Sequence, residues 1–324
     1  MVKVLLISGS ELEDLLTPEV LVGAIADAFR KFSEGATVTP SRTVMWVEGN
    51  WWGVMQSYVP GYGVGVKVVN VVPANVERGL PTIQALVTLY DPDTGSPLAV
   101  MEGSVLTALR TAAASALSVK YLAPSEAGPV AIMGAGYQAR YQLRFALHYF
   151  EATEVRIFDI RREASEAFAK YVEGLGLKPI ITSSPEEAIR GARLVIEAST
   201  TKEPVVLGGA LEPPVHVVSI GAHTPDSRAI DDDAILKAKA VVVDSRKAVM
   251  EETGDIIQPV KSGLLNLSEI CELGELVAGK CPKPIKGGGI TIYKSVGVAI
   301  QDACAAGLAY KLAKERGVGR EVEL

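Results

Sequence analysis

The chain has 324 residues, 48% of them hydrophobic and 22% charged, with a formal net charge of -6. This length exceeds what one hydrophobic core usually spans, so two domains are expected, and the balance is globular rather than disordered. No strip of Lys and Arg suits a nucleic-acid surface, and no apolar run reaches the length of a bilayer span, so no nucleic-acid or membrane partner is expected. Cys271, Cys281 and Cys304 lack metal-type spacing and no histidines cluster with them. Neither a metal site nor a disulfide framework is therefore expected, and the chain reads as a reduced, cytoplasmic protein.

The opening MVKVLLISGSELEDLL reads as a strand entering a helix rather than a signal peptide. Thr17-Pro18 pairs a good N-cap with proline at the first helical position, so a helix is expected over 17–34. Strand-like pieces follow near 43–48, 51–58, 64–72, 82–90 and 97–102. The DPDTGS turn (91–96) joins two of them as in an antiparallel meander. Residues 104–121 read as a helix.

From about 126 to 295 the pattern changes. Short Val/Ile-rich runs at 129–133, 154–159, 178–182, 193–198, 215–220, 240–245 and 289–294 alternate with helical stretches such as 161–175 and 184–190. Nearly continuous apolar runs suit strands covered on both faces, and the alternation suits a parallel sheet. The stretch 296–317 reads as one long amphipathic helix whose small residues favour close packing, returning to the first domain. The expected fold is α/β: a Rossmann-type doubly wound parallel sheet (126–296) inserted into a second, α+β domain (1–125 plus 297–324).

In GPVAIMGAGYQARYQLRFALHYF (128–150), a strand runs into Gly134 and a helix begins near Tyr137. A lone G-x-G-x-x-A is weak evidence, but this context is that of a dinucleotide turn. Gly134 permits the bend, Gly136 lets backbone approach a pyrophosphate, and Ala139 keeps helix and strand close. The helix's free N–H groups and dipole attract phosphate. The alternative is a glycine bend that binds nothing. Asp159 ends the next strand and suits a ribose diol, with Ile160 and Arg161 beside it. This favours NAD, although Arg161 and Arg162 would also accommodate the 2′-phosphate of NADP.

Three segments offer cations that could hold an anionic substrate: TPSRTVMWV with Arg42, GVGVKVVNVVPANVERGLPT with Lys67 and SVLTALRTAAASALSVKYLA with Arg110. Together with the G-x-G-x-Q-A turn and YKSVGVAIQD, these blocks resemble the ornithine cyclodeaminase and mu-crystallin family over nearly the whole length. That family includes archaeal alanine dehydrogenases and ketimine reductases. The resemblance implies that Arg42 and Lys67 bind a substrate carboxylate, with Lys67 beside the reacting carbon. It implies that Arg110 and Thr111 lie near cofactor phosphates or substrate, and that Thr82 reaches the nicotinamide side. Tyr137 and Gln138 would give backbone contacts at the pyrophosphate, Ser199, Thr200 and Gly221 would line the cofactor, and Ser295 and Val296 would cover the nicotinamide. It also implies a homodimer built through the first domain, which is then the substrate-binding and dimerisation domain.

The residues agree with these roles. Arg42 and Arg110 can make bidentate bonds to a carboxylate, and burial of Lys67 would depress its pKa and suit proton exchange with an amine or imine. The bland alternatives are an edge-strand lysine that blocks aggregation and a plain surface Arg42. Where the family's cyclodeaminases carry Asp in an I-G-A-D-x-P-type segment, this chain reads SIGAHTPDSRAIDDD, with His223 at that place. His223 is either an acid–base group or a loop residue. The expected activity is NAD(P)-dependent hydride transfer at the α-carbon of a small amino or imino acid, as in alanine dehydrogenase or ketimine reductase. The competing readings are an ornithine cyclodeaminase that recycles NAD internally, and a mu-crystallin-like NAD(P)H-dependent small-molecule binder.

Overall fold

The computed structural model describes residues 2–282 and 288–324. The chain divides into two compact units, one formed by residues 1–113 with 298–324 and the other by 114–297.

In the first unit, β1 (Lys3–Ile7) leads into α1 (Gly9–Leu15) and α2 (Pro18–Ser33). Pro18 stands at the first helical position as expected, although the Thr17 side chain makes no cap bond. Next come β2 (Thr43–Val47), β3 (Asn50–Val59), β4 (Gly63–Val71), β5 (Ile83–Tyr90) and β6 (Pro97–Glu102). These pair antiparallel in chain order, the meander that the Asp91–Ser96 turn announces. β1 adds in parallel to β6. The Glu102 carboxylate then accepts the Ser104 and Val105 N–H groups at 2.9 and 2.7 Å, which starts α3 (Gly103–Leu122) directly off the strand.

The second unit begins inside α3. Its strands are β7 (Ala127–Met133), β8 (Glu151–Phe158), β9 (Pro179–Ile181), β10 (Leu194–Glu197), β11 (Val215–Ser219), β12 (Ala238–Val243), β13 (Cys271–Glu272) and β14 (Ile290–Lys294). Between them lie α4 (Tyr137–Ala146), α5 (Arg162–Gly174), α6 (Pro185–Ile189), α7 (Asp232–Lys237), α8 (Arg246–Glu252), α9 (Gly254–Lys261) and α10 (Leu273–Val277). All pairings are parallel, in the order β13-β12-β14-β11-β10-β7-β8-β9. β10 and β11 are buried along their whole length, which is why they read as nearly continuous apolar runs. The order reverses between β7 and β10, and in such sheets ligands bind outside the carboxyl ends of the strands at that switch.

The chain finishes in the first unit with α11 (Ala299–Arg316) and β15 (Arg320–Glu323), which pairs antiparallel with β1. Two expectations are corrected here. The last helix starts at Ala299 rather than 296, because the backbone N–H groups of Val296 and Gly297 and the Ser295 hydroxyl are held outside it by the Asp244 carboxylate. Its first half is not amphipathic either: residues 299–306 are all buried. Small side chains make that burial fit. A Cβ at Gly65 on β4 would lie 2.6 Å from the Ala303 Cα, so only glycine admits the helix there.

The cysteines supply a third correction. Cys271 and Cys281, expected as free thiols, are joined by a disulfide across a separation of 10 residues, with Cα atoms 5.1 Å apart. Cys304 is free and buried within α11. No helix among the described residues is long and apolar enough to cross a membrane.

Candidate functional site

The first unit buries a cluster of charge. Lys67 lies in the middle of β4, opposite Met55 on β3 and Val87 on β5, so it is not an edge-strand lysine. It is 1% exposed. Its Nζ donates to Asp302 Oδ1 at 2.9 Å and more weakly to Thr107 Oγ1 at 3.4 Å. Arg110, on α3 and also buried, donates from Nε to the same Asp302 oxygen at 3.0 Å and from Nη1 to Gln301 Oε1 at 2.9 Å. Gln301 returns a bond from Nε2 to the Arg110 carbonyl at 3.3 Å.

Arg42 is half-buried just ahead of β2, and its charge acts on both Lys67 and Asp302. Burial pushes the Lys67 amine down to about 7, with Arg110 and Arg42 pressing the same way and Asp302 opposing them. Burial works to raise the Asp302 carboxyl, yet Arg110, Lys67 and Arg42 outweigh it and hold it below its ordinary value. Three cations thus share one carboxylate, and the surplus positive charge is what an anionic ligand would neutralise. Thr111, one residue beyond Arg110, bonds back to the Thr107 carbonyl at 2.7 Å. The Thr82 carbonyl accepts the Val72 N–H at 2.8 Å just before β5.

In the second unit the glycine turn sits at the sheet's switch. Gly134, with φ +89°, follows β7, and a Cβ there would meet the Ser199 Cα at 2.7 Å just after β10. Both the bend and the close approach require glycine. Around Gly136 the reverse holds: a Cβ would meet no atom within 4 Å. Gly136 is the N-cap of α4, which has no side-chain cap and no acidic residue in its first turn. Open space in front of uncapped N–H groups is the cradle a pyrophosphate needs.

Tyr137 is exposed at the helix start, and Gln138 Oε1 is buried without a partner. Asp159 Oδ2 accepts the Ala135 N–H of the turn at 2.9 Å, and Oδ1 accepts the Arg161 N–H at 2.9 Å. The carboxylate is therefore fixed beside the turn, with a further lone pair on each oxygen for a diol. Ile160 and Arg161 are exposed beside it. These residues fit a dinucleotide.

Behind this edge lies a polar network that motif reading does not name. Glu197 ends β10, and its carboxylate accepts the Ser199 N–H, the Ser199 and Ser219 hydroxyls and the Gly221 N–H. A Cβ at Gly221 would lie 2.4 Å from both Glu197 Oε1 and the Ser199 carbonyl. Lys294 ends β14 and donates to Ser219 Oγ, the Gly221 carbonyl and Asp255 Oδ2. The loops carrying Ser199, Thr200 and Gly221 are thereby anchored to buried charge, and Thr200 itself is exposed. Asp244 does the same for Ser295 and Val296. His223 is exposed on the loop after β11, next to Ala222 at φ +54°, a left-handed conformation uncommon outside glycine. The signal for the missed residues was charge where an apolar run ends or a buried helix begins: Glu197, Lys294 and Asp302. Among the described residues no group of His, Cys, Asp and Glu is arranged to hold a metal.

Residues 2–317 match the family model described as Ornithine cyclodeaminase/mu-crystallin family. The chain belongs to that family. Similar family members include a Delta(1)-pyrroline-2-carboxylate reductase of Bacillus cereus, 36% identical, the match covering 98% of this chain and 99% of the relative. Among solved structures, Thermococcus litoralis Delta(1)-pyrroline-2-carboxylate reductase in complex with NADH and L-proline has a TM-score of 0.93 and 39% identity, covering 98% of this chain and 100% of that one. An archaeal alanine dehydrogenase dimer with bound NAD has a TM-score of 0.91 and 31% identity, covering 99% of both. The Rossmann-type sheet and the second, antiparallel-rich sheet are thus the architecture of this family's nicotinamide-dependent members.

Proposed function

We propose that this chain is an NADH-dependent reductase of small α-imino acids, working in reverse as an amino-acid dehydrogenase. One observation carries the reading: a lysine buried among two arginines and a single carboxylate, where burial pushes its amine down to about 7. Arg42 and Arg110 bind the substrate carboxylate, and Arg110 arrives already oriented by Gln301 and Asp302. Bound NADH supplies the hydride that reduces the imine carbon. Lys67 gives a proton to the imine nitrogen and regains one from solvent, which a group with its pKa near neutrality does efficiently. Asp159, on the diol, supports NAD over NADP.

The relatives' names support a cyclic imine such as a pyrroline carboxylate as substrate. A homodimer through the first unit is supported by the archaeal dimer and by the apolar residues that β2 leaves exposed, with Trp46 70% exposed. Nicotinamide dinucleotides are intracellular metabolites, which supports a cytoplasmic location.

The test is loss of NADH absorbance with Delta(1)-pyrroline-2-carboxylate, its six-membered homologue, and pyruvate plus ammonia. Turnover is expected on at least one, and Lys67→Met should lower kcat by about 10²–10⁴-fold. Ammonia released from L-ornithine without net NADH would instead identify a cyclodeaminase. Tight NADH binding with no turnover on any substrate would identify a binder.

A further inference from the structure

In the reaction set out above Asp302 only helps to orient Arg110, yet it stands at the centre of the cationic cluster. It belongs to the first turn of α11, next to Gln301 in a run of otherwise apolar side chains, and it is 1% exposed. One oxygen, Oδ1, accepts from both Lys67 at 2.9 Å and Arg110 at 3.0 Å. The other, Oδ2, is buried with no partner. A buried carboxylate oxygen without a donor is costly, and a helix core has no structural need of one.

We propose that Asp302 is a positioning residue for imine reduction: its carboxylate holds the Lys67 ammonium in its protonated form and orients the Arg110 guanidinium for the substrate carboxylate. This assignment rests on the reductase reading above.

The charges acting on the Lys67 amine are few. Asp302 faces it from α11, Arg110 from α3, and Arg42 from ahead of β2. The flanking strands place Met55 and Val87 opposite it, neither of which titrates. Burial and both arginines favour the neutral amine, so Asp302 alone among these charges keeps a proton on Lys67 near neutral pH. A neutral Lys67 has no proton for the imine nitrogen. Arg110 would keep Gln301 as a partner without Asp302, so its orientation would loosen rather than vanish.

Asp302→Asn preserves shape and removes charge. The alkaline limb of kcat/KM for imine reduction should move to lower pH by about one unit or more, because a lost charge–charge contact of this kind is worth at least that. At neutral pH the rate should fall roughly tenfold and recover on acidification. A merely structural role would lower the rate while leaving the limb in place, and that result overturns the proposal.

Gln301→Leu is the counterpart: it should raise KM through Arg110 and leave the limb unmoved. If Asp302→Asn does not fold, Asp302→Glu keeps the charge. It should hold the limb within about half a unit while raising KM, and a larger displacement overturns the proposal.

The same titration is read without turnover from the pH dependence of pyrrole-2-carboxylate binding to the NADH-loaded protein, followed by nicotinamide fluorescence. A wild type that reduces no imine sinks the reductase reading. Asp302 fails separately if the midpoint of pyrrole-2-carboxylate binding is the same in wild type and Asp302→Asn.

Discussion

Lys294 and Asp255 form an ion pair of 2.8 Å in which both side chains are 0% exposed. The pair is not isolated. Asp255 Oδ1 accepts the Ala229 and Ile230 N–H groups at 2.7 and 2.9 Å, and Lys294 reaches Ser219 Oγ at 3.2 Å. Removing one partner strands the other charge in the core. Lys294→Met should therefore destabilise the protein by about 3–5 kcal/mol, while the double change to Lys294→Met with Asp255→Leu should cost less than the sum of the singles. Chemical denaturation of the four proteins measures both, and additive losses would show that the pair is not a unit.

The residues of that network lie far apart in the chain, and no local pattern joins them. The strands β7, β10, β11 and β14 are legible because parallel strands buried on both faces are largely apolar, β8 because its apolar residues alternate with polar ones, and the meander because its turn residues punctuate it. In the segment 231–277 the sequence announces little more than one strand, at 240–245. There the helices are short and start on Asp231, Ser245 and Thr253, single capping residues that equally suit turns. β15 reads R-E-V-E, with no apolar alternation, so nothing local announces that it returns to β1. Lys67 and Arg110 stood out as cations in apolar or small-residue surroundings. Their shared partner Asp302 lies 235 residues from Lys67, a distance that only the fold spans.

Asp159 holds the glycine turn and is proposed to hold the ribose diol, and the two roles separate by substitution. Its carboxylate accepts the Ala135 N–H at 2.9 Å and the Arg161 N–H at 2.9 Å, which leaves a lone pair on each oxygen for the proposed diol. Asp159→Ser removes the charge that repels a 2′-phosphate, so affinity for NADH should fall much more than affinity for NADPH. Asp159→Asn keeps an oxygen for the Ala135 N–H, so it should lose the preference with less damage to the turn. Fluorescence titration with both dinucleotides reads the ratio, and equal losses would count against Asp159 as the ribose acid.

His216 links the strand layer to α3, with Nε2 at 3.0 Å from Ser118 Oγ and Nδ1 at 2.9 Å from Thr291 Oγ1. Burial pushes its imidazole down to about 3. The unfolded chain takes up the proton near pH 6.5 and the folded chain does not until far lower. Its contribution is therefore full above the unfolded pKa and is lost as pH falls, by roughly 1.4 kcal/mol per unit between those two values. In His216→Gln that part of the slope should vanish, so wild type and variant should converge in stability on acidification. Urea unfolding at a series of pH values from about 7 to 4 tests this, and parallel slopes would show that the ring is protonated in the fold.

β2 has every residue exposed, and Val44, Met45, Trp46 and Val47 are 44%, 49%, 70% and 46% exposed. Ile83 and Leu86 on β5 are exposed as well. A strand at the edge of a sheet with apolar side chains and unpaired backbone groups is a liability in a monomer and an interface in an oligomer. Charge placed there should separate subunits without touching the buried core. Trp46→Glu is accordingly expected to turn a dimer into a monomer in sedimentation velocity while the circular dichroism spectrum stays that of the wild type. Lys67 is buried by α11 within its own chain, so the separated subunit should keep its cation cluster and still bind a carboxylate. A variant that stays dimeric would place the interface elsewhere, and one that loses its fold would make β2 part of the unit's own stability rather than a surface.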